Sequence, residues 1–361
     1  MLVEQVRELP ARDRLLYWIK ERHNVFLRRR AGLPRPWTDD HILQTVFFTN
    51  PYRENDKVTS WFRENVRDPM RDRQEVLMAV VIFRWFNWPD TAEVLMGGPT
   101  CKMTPSNLLI NWHPKRALKR LEPIQQTGGK VFTGAYMIKS PPRQKKLQAV
   151  VQCITNVWED RHSLYQDITR GGDIAGVHKG RKVGAPTQGG NITTKHRRVV
   201  TSQGGNIVGR VTLPSGNIAS HRATADDYPS PTLEYACKRL QRYYCLGGFT
   251  AYEMVTDLRH THVLENASDI MTWSNPGPGA IRGLLRLLDR PFRKGKNNCC
   301  IHPPKDYQEQ TTKLLRLFDR KLSRMPKFEM REVEHCLCEW DKYERILWGD
   351  GKPKRHYDGC G

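Results

Sequence analysis

The chain has 361 residues, with 59 Lys+Arg against 38 Asp+Glu, a formal net charge of +21. That length suits two domains, or one large domain with an insertion, and 10 Trp, 12 Tyr and 11 Phe supply core anchors that a disordered chain lacks. No apolar run is long enough for a transmembrane helix, Met1 to Arg30 carry charges throughout, unlike a secretory signal, and no G-x-x-x-x-G-K-[ST] motif marks a P-loop enzyme. The 9 cysteines include no C-x-x-C pair, which argues against a disulfide framework and for a reducing cytoplasm. The positive charge asks for an anionic partner, nucleic acid first and a membrane surface second.

In chain order, residues 11–30 predict a helix, with Leu15, Leu16, Ile19 and Val25 to Leu27 at helical spacing and Arg28-Arg29-Arg30 suiting its C-terminus. Gly32, Pro34 and Pro36 break it. Thr38 reads as the N-cap of a helix beginning at Asp39-Asp40. Further helices are predicted over 54–67, 74–87, 105–122 and 143–160, the second of them apolar enough to be buried. Pro89 closes that segment, and Thr91 to Leu95 opens another. Between the last two, Gly128-Gly129-Lys130-Val131-Phe132-Thr133-Gly134-Ala135-Tyr136 reads as a turn-rich stretch.

Residues 161–223 differ in texture. Cations including Lys195, Arg197 and Arg198 are opposed only by Asp167 and Asp173. A degenerate motif recurs at Gly171-Gly172-Asp173-Ile174, Gly189-Gly190-Asn191-Ile192, Gly204-Gly205-Asn206-Ile207 and Gly216-Asn217-Ile218, too irregular for a solenoid. Gly-Asn turns with Val, Thr and Ile between them predict short hairpins; an unstructured loop is the equal alternative. Helices return over 231–260, 279–290, 305–323 and 329–347. The resulting fold class is mostly α, with an N-terminal helical domain over 1–160, a basic insertion over 161–225 and a C-terminal helical part over 226–361.

Several segments could carry chemistry. Asn275-Pro276-Gly277-Pro278-Gly279 opens an apolar helix, and such a turn presents backbone N–H groups to a phosphate, as in a helix-hairpin-helix DNA-binding element. Gly247 and Gly248 make a second such turn. The helix after it places Glu253 and Asp257 on one face, either an acid/base pair or a solvated face. Glu334, Cys338 and Asp341 share another face, with Lys342 and Arg345 beside it: proton acceptors and cations together, or an ordinary salt-bridged helix. Arg84 and Asn87 sit inside the aromatic run 83–88, and a buried Arg requires a carboxylate or a bound phosphate. Capping accounts for Thr38 and Asp39, but not for the polar group Asn50, Arg53 and Asp56.

Taken together, 36–44, 48–59 and 83–89 resemble the helical domain shared by phage hydroxymethyluracil-DNA kinases and their partner enzymes. Adding 132–136, the two Gly turns and 333–343, the chain resembles the α-glutamyl/putrescinyl-thymine pyrophosphorylase family of amino acid:DNA transferases. The resemblance leaves out roughly 165–225, and the missing P-loop favours the transferase over the kinase.

The resemblance implies a fold like that of helix-hairpin-helix DNA glycosylases. It implies displacement of pyrophosphate from pyrophosphorylated hydroxymethyluracil in double-stranded phage DNA by an amino acid or a polyamine. It also implies coupling to a hydroxymethyluracil-DNA kinase in the cytoplasm of the infected host. On that chemistry the base candidates are Glu334 and Asp341, then Asp257 and Asp40. Pyrophosphate and substrate would meet Arg53, Arg84, Asn87, Lys342 and Arg345. DNA would meet Asn275, Gly277, Pro278, Gly279, Gly247, Gly248, Lys195, Arg197 and Arg198. A divalent metal on the pyrophosphate is compatible, but no ligand motif demands one. The glycosylase aspartate expected after the hairpin has no counterpart at Lys296-Asn297-Asn298-Cys299. The rival readings are a glycosylase of this fold and a non-catalytic DNA-binding partner of the kinase.

Overall fold

The computed structural model describes residues 2–98, 104–135, 137–172, 230–291 and 302–351. Among these residues the secondary structure is helical and contains no strand. Of the basic insertion expected over 161–225, Arg161–Arg170 is an α-helix whose Leu164 and Ile168 are buried, not a hairpin; residues 173–225, with Lys195, Arg197 and Arg198, fall outside the described residues.

Two apolar cores organise the helices. The first gathers Lys57–Phe62, Val76–Phe86, Pro89–Met96, Pro114–Gln126, Lys146–Glu159, Arg161–Arg170, Leu233–Leu240 and Gly248–Leu258. Every residue of Val76–Phe86 is buried, as a sequence apolar at all positions but Arg84 requires. Each fully buried Val, Leu or Phe contributes roughly 1.5–3 kcal/mol. That helix stops at Asn87, which adopts a left-handed conformation with φ 47°. Pro89 then begins the next helix rather than merely ending the last, since its missing N–H costs nothing in the first turn.

The second core joins the two ends of the described chain. Leu2–Glu8, Ala11–Arg30 and His41–Thr45 pack against Pro278–Leu287, Tyr307–Lys321 and Met330–Leu347. Polar ties fix the pairing. Arg14 grips Glu344 through two bonds of 2.8 and 2.9 Å, and the Arg7 guanidinium donates to the Leu347 carbonyl at 2.8 and 3.1 Å.

Within this core, Pro278–Leu287 and Met330–Leu347 approach closely because two glycines line the contact. A Cβ on Gly279 would stand 2.5 Å from Cys338 Sγ, and one on Gly283 would stand 2.3 Å from the Leu337 carbonyl oxygen.

Local boundaries differ from the sequence expectation in informative ways. Asp40, not Thr38, caps the third helix, accepting from Ile42 N and Leu43 N at 2.9 and 3.1 Å. Thr38 instead accepts from Asp40 N at 3.2 Å. The segment 54–67 is not one α-helix but a 3₁₀ turn at Arg53–Asn55, α-helix at Lys57–Phe62 and a π turn at Arg63–Arg67. The 231–260 region divides into Leu233–Leu240 and Gly248–Leu258, separated by the Gly247 turn.

Candidate functional site

Buried charge concentrates where the two cores meet. Residues 53 and 54, at the crossing between them, reach into both. The Glu54 carboxylate takes two bonds from Arg67, at 2.6 and 3.1 Å, and one from Arg331 at 3.1 Å. Burial pushes the Glu54 carboxyl up, but Arg67 and Arg331 more than reverse it and hold it well below its usual range. Arg53 pairs with Glu253 in direct contact. Arg84 makes a bidentate pair with Asp257 and donates to Asn87 Oδ1 at 2.8 Å. The buried Arg84 therefore has its carboxylate, and Glu253 and Asp257 form neither a solvated face nor a free acid/base pair. Both are buried and ion-paired.

The two Gly turns lie side by side. Asn275 Nδ2 donates to the Gly248 carbonyl at 3.1 Å, which sets the start of Gly248–Leu258 against the approach to Pro278–Leu287. Gly277 N–H, at the N-cap of that second helix, donates to Glu334 Oε1 at 3.2 Å. Glu334 thus stands at the junction of two helix N-termini.

Glu334 retains contact with solvent, but protein crowds its carboxyl from most sides. Burial raises its pKa to about 7, with the Gly277 N–H and the Arg53 charge pulling the other way. Around it stand buried polar groups: Arg53 Nε and Tyr252 Oη, with no hydrogen bond among the described residues, and the hydroxyls of Ser274 and Tyr307, which act on one another. Glu334 charge acts on both tyrosines and raises their pKa further beyond what burial does. Gln308 clamps Ser274, accepting from its N–H at 3.2 Å and donating to its carbonyl at 2.7 Å. A buried hydroxyl without a partner is costly. Here the hydroxyls converge on a carboxylate able to exchange a proton near neutral pH.

The other candidates are placed elsewhere or already engaged. Asp40 is buried as a helix cap and accepts from Tyr17 and Tyr343 hydroxyls at 3.1 and 2.6 Å. Asp341, on the Glu334 face one turn further along, is held by Arg282 at 2.8 Å, though burial raises its pKa. Lys342 donates to the Phe47 carbonyl and lies over the Phe48 ring at 4.6 Å. Arg345 lies against Gly351. Gly279 serves the close helix contact described above. Of the sequence candidates, the fold brings together Glu334, Arg53, Asn275, Gly277, Gly247 and Gly248. Tyr252, Ser274 and Tyr307 were missed, because a lone Tyr or Ser beside apolar residues looks like ordinary core. No group of three or more His, Cys, Asp or Glu among the described residues is arranged to hold a metal ion.

A family model for the helical domain of 5-hmdU DNA kinase matches residues 10–180 and 217–352. The chain belongs to this family. Among curated proteins, the 5-hmdU DNA kinase of Bacillus phage SP10 is 32% identical over 130 residues, covering 34% of this chain and 19% of that protein. The chain thus matches less than a fifth of that relative's length. No solved structure matches. No helix among the described residues is long and apolar enough to cross a membrane.

Proposed function

We propose that this protein is a phage DNA-thymine hypermodification transferase. It exchanges the pyrophosphate on 5-pyrophosphorylated hydroxymethyluracil in DNA for an amine, in the host cytoplasm and downstream of a hydroxymethyluracil-DNA kinase. Membership of the kinase helical-domain family supports a reaction on DNA that carries hydroxymethyluracil. The observation that carries the reading is Glu334, poised near pH 7 beside Arg53 and the buried hydroxyls of Tyr252, Ser274 and Tyr307.

In this reaction the amine nitrogen forms a bond to the exocyclic methylene carbon. The bond from that carbon to the pyrophosphate oxygen breaks, and the leaving group departs with the electron pair. The proton lost by the amine passes to the Glu334 carboxylate. Arg53 supplies positive charge to the departing pyrophosphate, and Tyr252, Tyr307 and Ser274 offer hydroxyl donors to its oxygens or to the amine's polar end. A divalent metal on the pyrophosphate would assist the same charge. DNA reaches the site along the Gly247–Gly248 and Asn275–Gly279 turns, with the basic insertion over 161–225 as a further contact.

The test is mass spectrometry of nucleosides from DNA carrying the pyrophosphorylated base, after incubation with the protein and a mixture of amino acids and polyamines. A nucleoside heavier by one amine, with pyrophosphate released, is expected. Free base with abasic DNA would instead identify a glycosylase. Bound but unchanged DNA would identify a binding subunit.

A further inference from the structure

A cavity lies at the edge of the first core, outside the Glu334 cluster, where the start of Val76–Phe86 meets the end of Lys146–Glu159 and the helix after it. Leu77, Met78 and Ile110 form its buried base. Half-buried Trp158 and Tyr165 stand beside them. Its volume is about 240 Å³. That is below the roughly 300–1,000 Å³ of sites for drug-sized ligands and suits a single planar ring system.

The polar groups that border the cavity are already oriented. The Arg71 carbonyl can only accept, so the His262 Nδ1 that meets it at 2.7 Å carries the proton of the neutral ring. His262 Nε2 then accepts from the Tyr165 hydroxyl at 2.9 Å, and the Tyr165 oxygen keeps its lone pairs. Asn111 Nδ2 donates to the Thr104 carbonyl at 2.9 Å, which leaves Oδ1 to accept. Glu75 is the N-cap residue of Val76–Phe86, yet its carboxylate does not cap that helix. Arg161 donates to the Trp158 carbonyl at 2.9 Å and lies over the indole, 4.3 Å from the ring centroid. With Glu75 it sets one charge of each sign at the rim, which favours a neutral ligand over an ion. Aromatic rings and a guanidinium plane are surfaces on which bases stack. Acceptors beside them select an exocyclic amino group.

We propose that this cavity binds a nucleobase bearing an exocyclic amino group, adenine or cytosine, stacked against Trp158 and Tyr165 with its amino group donating to Glu75 and Asn111. Uracil and thymine place a carbonyl oxygen there instead, acceptor against acceptor, and are refused. The base belongs to a free nucleotide or to a single strand. Neither source depends on the transfer reaction proposed at Glu334.

Titration calorimetry of the full chain reads the preference on two sets of probes. The first is the neutral nucleosides adenosine, cytidine, uridine and thymidine, which the net charge of +21 does not attract. The second is the single-stranded octamers of dA and of dT. A free nucleotide predicts that adenosine and cytidine bind at least about tenfold more tightly than uridine and thymidine. A single strand predicts the same ratio for the dA octamer over the dT octamer, with the nucleosides silent. In either case Glu75→Ala abolishes the ratio and keeps the wild-type melting temperature, since the carboxylate caps nothing. Trp158→Leu weakens the preferred ligand by at least about tenfold. Equal affinities or no binding within both sets, or a ratio that survives Glu75→Ala, overturns the assignment. All of these outcomes leave the Glu334 reading standing, because no probe carries a pyrophosphorylated base.

Discussion

Arg84 and Asp257 meet fork to fork, at 2.5 and 2.7 Å, and each side chain is 1% exposed. One belongs to the central helix of the first core, and the other to the helix whose N-terminus faces Glu334. The pair fixes the angle at which that N-terminus is presented. Removing one partner strands a charge in the interior. Arg84→Ala or Asp257→Ala is expected to destabilise the protein by about 3–5 kcal/mol in denaturant unfolding. Arg84→Met combined with Asp257→Leu should recover most of the loss. A single variant losing under about 1 kcal/mol would show that the pair carries little of the packing.

Glu334 links catalysis to stability with opposite signs. Its pKa of about 7 in the folded protein lies above the usual 4.5. The folded state therefore binds the proton more tightly than the unfolded chain. Its favourable contribution is full below about pH 4.5 and is lost as pH rises through about 7. Glu334→Gln is expected to abolish transfer while raising stability at pH 8 by up to about 3 kcal/mol, with no gain at pH 4. Chemical denaturation at the two pH values checks the stability, and pyrophosphate release checks the activity. Equal effects at both pH values would mean that the carboxyl is not perturbed as described.

The pH profile of transfer should follow the same group. Activity rises with pH through about 7 as Glu334 ionises. Arg53 lowers the Glu334 pKa, so Arg53→Gln should move the rising limb to higher pH as well as slow turnover. A slower variant with an unmoved limb would separate Arg53 from the Glu334 carboxyl.

Two half-buried histidines predict acid lability. His260 accepts from Arg331 at 3.1 Å, a bond that only the neutral ring can make. Burial, with Arg331 beside it, lowers the His260 pKa to about 3, and burial with Arg53 does the same to His335. The unfolded chain protonates these rings near 6.5, so the stability they confer is present above that pH and is lost as pH falls towards 3. Thermal melts between pH 7 and 5 should fall steeply in the wild type and less so in His260→Gln combined with His335→Gln. Parallel curves would assign the acid sensitivity to other groups.

The two contact glycines should respond differently to the same change. In Gly279→Ala the new methyl meets a side chain, Cys338 Sγ, and in Gly283→Ala it meets the Leu337 backbone. Overpacking of this kind costs about 1–3 kcal/mol or more. Adding Cys338→Ala should restore most of the stability of Gly279→Ala and none of that of Gly283→Ala. Rescue of both, or of neither, would show that the helices yield as rigid bodies.

The helices were largely legible because their signals are local: apolar periodicity, Pro at the first turn and Gly after the last. The 11–30 helix is found as Ala11–Arg30 and the 329–347 helix as Met330–Leu347. The mixed helical turns after Arg53 were not legible, since their geometry serves Glu54, whose partner Arg331 lies 277 residues away. The candidate site divided in the same way. Glu334 and Arg53 were named from charge and segment texture. That Asp257 belongs to Arg84, and Asp341 to Arg282, depends on which helices become neighbours. Tyr252, Ser274 and Tyr307 gain meaning only from their burial around Glu334, which depends on the packing of three separate segments.

Asp40 and Tyr343 are bonded across 303 residues of chain, and this sets a timetable for synthesis. At about 5–20 residues per second, roughly 15–60 s separate the arrival of the first partner from that of the second. The helices of the first core are complete by Leu258, so that half can settle while the ribosome is still at work. The N-terminal helices wait with their apolar faces uncovered until Met330–Leu347 emerges. The newborn chain therefore has an interval of vulnerability, in which a chaperone bound near residues 11–46 would protect a surface that the finished protein never exposes.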